Sequence, residues 1–233
     1  MRIIGIDPSM NDTAIAVIRD EPCPITRSRI LTRSIKELTP GTYSRIIAEF
    51  KYGNDEPITA GFVEDFSNVG GKDTNKNSIK STSHSGGMAE EALAAAGIPI
   101  IPITVNEWRR VALGSPSPHP TKSGRPMRYW TKGDSKYSVP DNVTPRLLEI
   151  FDPTMHFSEK ADYLKVIDFP YDSRPTSVFH NFLTYLRQLK KPLTSRRIQL
   201  VFGITIDELE AAGIALAGMK LIKSGKIEGL MNT

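Results

Sequence analysis

Apolar positions along this chain switch between two periods, and the switches mark out its elements. Ile3-Ile4-Gly5-Ile6 is an apolar run that closes on Asp7. Pro8 and Ser9 supply turn chemistry, and a second β-rich run opens at Thr13 and continues through Ala14, Ile15, Ala16, Val17 and Ile18. The pattern predicts two strands joined by a short hairpin connection, with one carboxylate held at the end of a buried strand. Ser28 to Ile35 alternates and extends the pair to a three-stranded antiparallel meander. Ile46, Ile47 and Phe50 recur at helical spacing and predict a short helix over Tyr43–Phe50, before a turn near Gly53. Thr59 to Phe66 reads as a fourth strand, ending in Glu64 and Asp65. From Ser67 to Gly87 the chain is polar and rich in Gly, Ser, Asn and Lys, too poor in apolar surface to pack by itself, and is read as a loop. An Ala-rich helix then runs from Met88 to Ala96 and stops at Gly97, as a left-handed cap would make it.

Ile98 to Val105 predicts a fifth strand, and Pro99 and Pro102 suit it to an edge position. Asn106 is placed to cap a short helix through Trp108, Arg109, Arg110 and Leu113, up to Gly114; Trp108 is read as core. Residues 115–193 break this rhythm. Their first third is Pro-rich, and candidate helices follow at Pro145–Phe151 and Thr176–Leu189. The whole is read as an insertion: a cap, an arm, or a DNA-binding or dimerisation element. A helix from Thr194 or Ser195 to about Gly203 and a last one from Ile206 to about Ile222 close the chain. The order βββαβαβα is that of an α/β domain with a mixed sheet, its core formed by residues 1–114 and 194–233.

At 233 residues the chain is long enough to bury a substantial core, and 39% hydrophobic with 24% charged residues is ordinary globular composition. No apolar run reaches the ~20 residues of a membrane span, and the N-terminus has no signal-peptide pattern, which leads to the expectation of a cytoplasmic protein without membrane partners. Cys23 is the sole cysteine, which excludes a disulfide framework and cysteine-based zinc sites. Net charge is only +4, yet it is concentrated: residues 115–197 carry fourteen basic and eight acidic side chains. That local surplus favours a polyanionic partner. Candidate phosphate contacts are Lys72, Lys76 and Lys80 in the polar loop and Arg125, Arg128 and Lys132 in the insertion, where Tyr129 and Trp130 are available to stack on bases.

Four acids carry the candidate chemistry. Asp7 and Glu64 end strands expected to be neighbours, and Asp207 and Glu210, three apart, share a helix face. Each has an ordinary explanation too: Asp before Pro starts turns, and acids in a first helical turn complement the macrodipole. Ala211, Ala212 and Ala215 add that this last helix is built to approach the sheet closely. Carboxylates gathered in one place need a compensating charge, and a hard cation such as Mg²⁺ prefers their oxygens. Two such ions would support in-line hydrolysis of a phosphodiester. His84, in the polar loop near the second acid, is a weaker candidate for assisting a water or leaving group.

These residues resemble those of a known family. Ile3-Ile4-Gly5-Ile6-Asp7-Pro8-Ser9 with Thr13 is similar to the opening of RuvC-type Holliday junction resolvases, of the RNase H-like nuclease superfamily. Phe62-Val63-Glu64 resembles their second motif, Gly86–Ala96 with Ile98–Ile103 the helix and strand after it, and Asp207-Glu208-Leu209-Glu210-Ala211-Ala212 the closing acidic helix. The resemblance covers Met1–Gly114 and Ser195–Gly218 and leaves the insertion unmatched; it implies that Arg109 and Arg110 are what remains of the family's nucleic-acid-binding basic segment after the fifth strand. It implies an RNase H-like mixed five-stranded sheet flanked by helices, and a homodimeric endonuclease that resolves branched DNA in recombination and repair. It also implies two Mg²⁺ per active site, with Mn²⁺ as substitute and no small-molecule cofactor, in the cytosol of a bacterium or of a phage-infected host. Carried over by position, Asp7 bridges both metals, Glu64 holds one, and Asp207 with Glu210 completes the set. The family usually has Asp at the fourth place; Glu210 departs from that, and Glu208 is its rival. The competing readings are a related nuclease acting on RNA–DNA hybrids or flaps, a non-catalytic junction-binding protein, and an actin-like ATPase. The last is disfavoured by the short chain and the missing second phosphate loop.

Overall fold

The computed structural model describes residues 1–9, 13–20, 30–36, 39–52, 56–65, 76–115, 118–119, 127–128, 143–151 and 204–227. The expected helices at Thr176–Leu189 and from Thr194 or Ser195 lie outside them, as do Lys72, Arg125, Tyr129, Trp130 and Lys132.

Strands β1 (Arg2–Asp7), β2 (Thr13–Arg19) and β3 (Ile30–Ile35) form the meander, with Asp7 opposite Ala14 and Thr13 opposite Ile35. Strand β4 (Ile58–Asp65) lies parallel to β1 on its other side, and β5 (Ile100–Thr104) lies parallel to β4 at the edge, giving the order β3-β2-β1-β4-β5. This is the expected mixed five-stranded sheet, and the edge place of β5 is where Pro102 costs no ladder bond.

Helices cover both faces. Helix α1 (Pro40–Tyr52) and helix α2 (Lys76–Ala95) pack Tyr43, Ile47, Phe50, Met88 and Leu93 against Ile4, Ile6, Ile15 and Val17. On the other face lie α3 (Val105–Leu113), α4 (Val143–Phe151) and α5 (Ile206–Lys223), with Trp108, Leu147, Leu148 and Ile214 against Ile3, Ala14, Ala16 and Phe62. Because strand side chains alternate, β1 sends Ile4 and Ile6 to the first layer and Ile3, Gly5 and Asp7 to the second. Helix α4 falls within residues 115–193, so this part of the segment read as an insertion contributes to the shared core. The segment also holds a two-residue ladder, β6 (Pro118–His119) with β7 (Met127–Arg128).

Helix α5 is buried almost all round, the condition of a helix enclosed between a sheet and other helices. Its approach to the sheet requires glycine at two places: a Cβ on Gly5 would stand 2.2 Å from the Ala211 carbonyl oxygen, and one on Gly218 2.3 Å from the Phe62 ring. At its far end Lys223 pairs with Asp20, whose backbone N–H donates to the Met1 carbonyl. Helix α5 therefore runs antiparallel to β1, its first turn lying over the end of the strand that carries Asp7.

Two local expectations are corrected. Helix α2 begins at Lys76, twelve residues before Met88, within the stretch expected to be a loop. Ser85 explains how so polar a segment becomes helical: it is buried, and its Oγ lies 2.7 Å from Thr13 Oγ1 and 2.5 Å from the Tyr43 hydroxyl, which in turn donates to Thr13 Oγ1 at 2.7 Å. Once Met88, Ala89, Ala92 and Leu93 are packed, each added residue gains a helix bond without a new nucleation cost. The second correction is the cap of α3, which is Thr104 and not Asn106: the Glu107 N–H donates to Thr104 Oγ1, and Asn106 is already inside the helix. Gly97, after α2, has a φ of 68°, in the left-handed half of the map as expected, and Gly114 ends α3 at a φ of 88°.

The hydroxyl cluster ties the β1–β2 turn to α1 and α2, since Thr13 Oγ1 also accepts from the Ser9 N–H at 3.3 Å. Tyr43→Phe removes one buried member and is expected to cost about 1–2 kcal/mol, read as a fall in Tm of roughly 2–8 °C. An unchanged Tm would show that the cluster contributes nothing to stability.

Candidate functional site

The pairing of β1 with β4 runs in register to Ile6 and Val63, so Asp7 and Glu64 follow as the next residues on adjacent parallel strands. Both point to the α5 face, as Gly5 and Phe62 do, whereas Asp65 alternates to the other face. Asp7 is 5% exposed and Glu64 6%. From above, α5 contributes Asp207, half-buried in its first turn, and Glu210, 1% exposed. On the helix wheel Asp207 shares the sheet-facing side with Ala211, Ala215 and Gly218, while Glu210 is turned toward α3.

The rival acid has a different engagement. The Thr205 N–H donates to Glu208 Oε2 at 2.8 Å, and the Glu208 N–H donates to Thr205 Oγ1 at 3.1 Å. This reciprocal capping box starts α5 and occupies the Glu208 carboxylate. Its signature, Thr205-Ile206-Asp207-Glu208, was legible in the sequence.

Helix α3 braces two of the acids through consecutive residues. The buried Trp108 indole N–H donates to Glu64 Oε2 at 2.8 Å. Arg109 places a guanidinium nitrogen 3.7 Å from Glu210 Oε1 and lies 5.2 Å from the centre of the Trp108 ring. Arg109, expected at a nucleic-acid surface, is thus turned inward and supplies positive charge among carboxylates. Arg110 beside it is exposed. Lys76 and Lys80 lie on the first turns of α2, Arg128 on β7, and His84 is exposed on α2. The role of Trp108 was only half legible: a buried indole needs an acceptor, but nothing local to Trp108 names Glu64, 44 residues away.

Carboxylate oxygens alone are the donor set that a hard divalent cation takes, and burying several like charges on one face calls for such a cation. In that chemical sense the residues fit Mg²⁺. Among the described residues, however, no three His, Cys, Asp or Glu side chains are grouped as a metal centre. Glu64 is directed to Trp108 and Glu210 to Arg109, so the acids share one end and one face of the sheet without forming a single coordination shell.

No protein-family model and no curated protein matches the sequence. Among solved structures, the fold is similar to Thermus thermophilus RuvC, at 14% identity and a TM-score of 0.47 over 97% of each chain. It is also similar to T. thermophilus RuvC in complex with a Holliday junction substrate, at 11% identity and a TM-score of 0.48 over 97% of this chain and 96% of that one. The Aquifex aeolicus Ppx/GppA phosphatase follows at 14% identity and a TM-score of 0.32, over 100% of this chain and 93% of that one. Likenesses at this depth leave the function to be argued from the chain's own side chains. Among the described residues no helix is long and apolar enough to cross a membrane.

Proposed function

We propose that the chain is a divalent-metal-dependent endonuclease that cuts branched DNA, with a four-way junction as its substrate. The observation that carries this reading is the burial of Asp7 and Glu64 at one end of β1 and β4, beneath the first turns of α5, which hold Asp207 and the buried Glu210. The order and spacing of the three acidic motifs, similar to those of RuvC-type resolvases, supports the choice of substrate. Asp7, Glu64, Asp207 and Glu210 would hold Mg²⁺, with Mn²⁺ as substitute; the bound ions supply an activated water and a stabilised leaving oxygen at a phosphodiester. The chain's own residues do the rest. The strand ends fix the direction of Asp7 and Glu64, Trp108 and Arg109 hold Glu64 and Glu210, and exposed Arg110 with the basic side chains of 115–193 binds phosphate. A homodimer would bring two such sites to two strands.

The test is cleavage of a labelled four-way junction beside duplex, flap and RNA–DNA hybrid controls, in Mg²⁺ and in EDTA. Metal-dependent paired nicks in the junction are expected. Cutting of the hybrid or flap alone would keep the chemistry and discard the substrate. Junction binding without cutting under Mg²⁺ or Mn²⁺ would replace the enzyme by a binding protein.

Engagement of Glu208 in the capping box supports Glu210 as the fourth acid. Glu208→Ala is expected to lower stability by about 1 kcal/mol, a Tm change of roughly 2–4 °C, and to leave the cleavage rate unchanged. Glu210→Ala is expected to abolish cleavage; the opposite pattern would hand the role to Glu208.

A further inference from the structure

We infer that α2 is a helix in two parts, its first half a strap that closes on the DNA backbone about a joint at Gly86 and Gly87, with Ser85 as the latch. DNA as the partner rests on the functional reading above; the two-part helix rests on the chain alone. Met88, Ala89, Ala92 and Leu93 hold the second half in the core. The first half, residues 76–85, has a single apolar residue, Ile79, and its Ser83 and His84 are exposed. Between the halves stand two glycines that packing does not require. A Cβ on Gly87 would meet no atom within 4 Å, and one on Gly86 would make an ordinary contact 3.7 Å from Pro8 Cγ. Neither has a positive φ, so alanine would suit the backbone here, and each glycine weakens the helix.

Charge weakens the first half further. It carries Lys76 and Lys80 and no acid, so two cations stand at the end of the helix whose own dipole is positive. A phosphate backbone relieves that conflict, meeting the lysines together with the N–H groups that a first turn leaves without intrahelical partners. What holds this half down is one hydroxyl. Ser85 Oγ lies 2.7 Å from Thr13 Oγ1 and 2.5 Å from the Tyr43 hydroxyl, and Thr13 Oγ1 also accepts from the Ser9 N–H, two residues beyond Asp7. Few buried apolar contacts, two glycines and two opposed cations place the strap at the low-stability end of the molecule. Because the latch is also a hold on the turn after Asp7, closing the strap on DNA and fixing that turn are one event.

Amide hydrogen exchange on the full chain tests this, in EDTA so that DNA is not cut. Without DNA, the amides of residues 80–85 are expected to exchange about tenfold faster or more than those of 92–95 in the same helix. Gly87→Ala is expected to slow exchange over 80–85 about fivefold, the difference in helix formation between the two residues, and Ser85→Ala to speed it about fivefold both there and at Ser9. A synthetic four-way junction at about ten times its Kd is expected to slow exchange over 80–85 about tenfold in the native chain. Equal rates over 80–85 and 92–95, or no slowing by Gly87→Ala, would overturn the joint, and a native rate at Ser9 in Ser85→Ala would overturn the coupling to the Asp7 turn. A junction that binds and leaves 80–85 at the DNA-free rate would overturn the strap and leave the nuclease reading standing. No junction binding by the native chain would overturn both.

Discussion

Asp7→Asn is expected to reduce junction cleavage by about 10²–10³-fold or more at saturating Mg²⁺, while junction binding persists. The substitution preserves shape and one acceptor oxygen at a site 5% exposed, so packing around the end of β1 is retained. What changes is charge. Asp7 follows Ile6 in the strand between β2 and β4 and is next to Glu64, so it is the acid best placed to face ions from both sides. Removing one of several buried like charges also relieves repulsion in the metal-free protein. The Tm in EDTA is therefore expected to equal or exceed that of the native chain, and this separates a catalytic loss from a folding loss. Cleavage at the native rate by Asp7→Asn would remove the metal site from the β1 end.

The second large effect concerns the fold that carries the site. Gly5→Ala would place a Cβ 2.2 Å from the Ala211 carbonyl oxygen and 2.4 Å from the Ala215 nitrogen. Both are backbone atoms of α5, so no rotamer change relieves the contact, and the helix must lift from β1. Overpacking against a side chain costs about 1–3 kcal/mol; against backbone the expected cost is at or above the top of that range, a fall in Tm of about 6–12 °C or failure to recover folded protein. Because α5 carries Asp207 and Glu210, any folded fraction should also lose cleavage. Gly41→Ala is the control: no atom lies within 4 Å of the added Cβ, and in the first turn of α1 alanine is the better helix former. A Gly5→Ala chain as stable as native would mean that α5 is not held against β1 at this point.

Arg2 is a buried charge whose partners are backbone carbonyls. It lies fully buried at the start of β1, donates to the Phe50 and Glu56 carbonyls, and burial lowers its pKa, with Arg19 adding to the shift and Glu56 opposing it. Asp7, at the other end of the same strand, differs in having acids from β4 and α5 arriving at its end.

The strands were legible because their signal is local. Alternation along β1 and β2, the turn residues Pro8 and Ser9, and the prolines of β5 each act within a few residues, and the positions of Asp7 and Glu64 at strand ends follow from them. The same holds for Ala211 and Ala215 as a surface made for close approach. Helix α2 was not legible before Met88, because its polar first half is held by a hydroxyl contact between Ser85, Thr13 and Tyr43, residues far apart in the chain. The capping role of Thr104 was missed for a smaller reason: the residue ends a strand and starts a helix at once, and a pattern reading assigns it to the strand.

By itself, then, the sequence determined the element order, the two faces of each strand and the ends at which the acids stand, since these depend on side-chain period and turn chemistry. Only the tertiary structure decided what the buried acids Glu64 and Glu210 touch: Glu64 meets the Trp108 N–H and Glu210 meets Arg109. The physical reason is range. Period and propensity are summed over neighbours in sequence, whereas the partner of a buried polar group is whichever donor the packing of distant elements brings within hydrogen-bond distance.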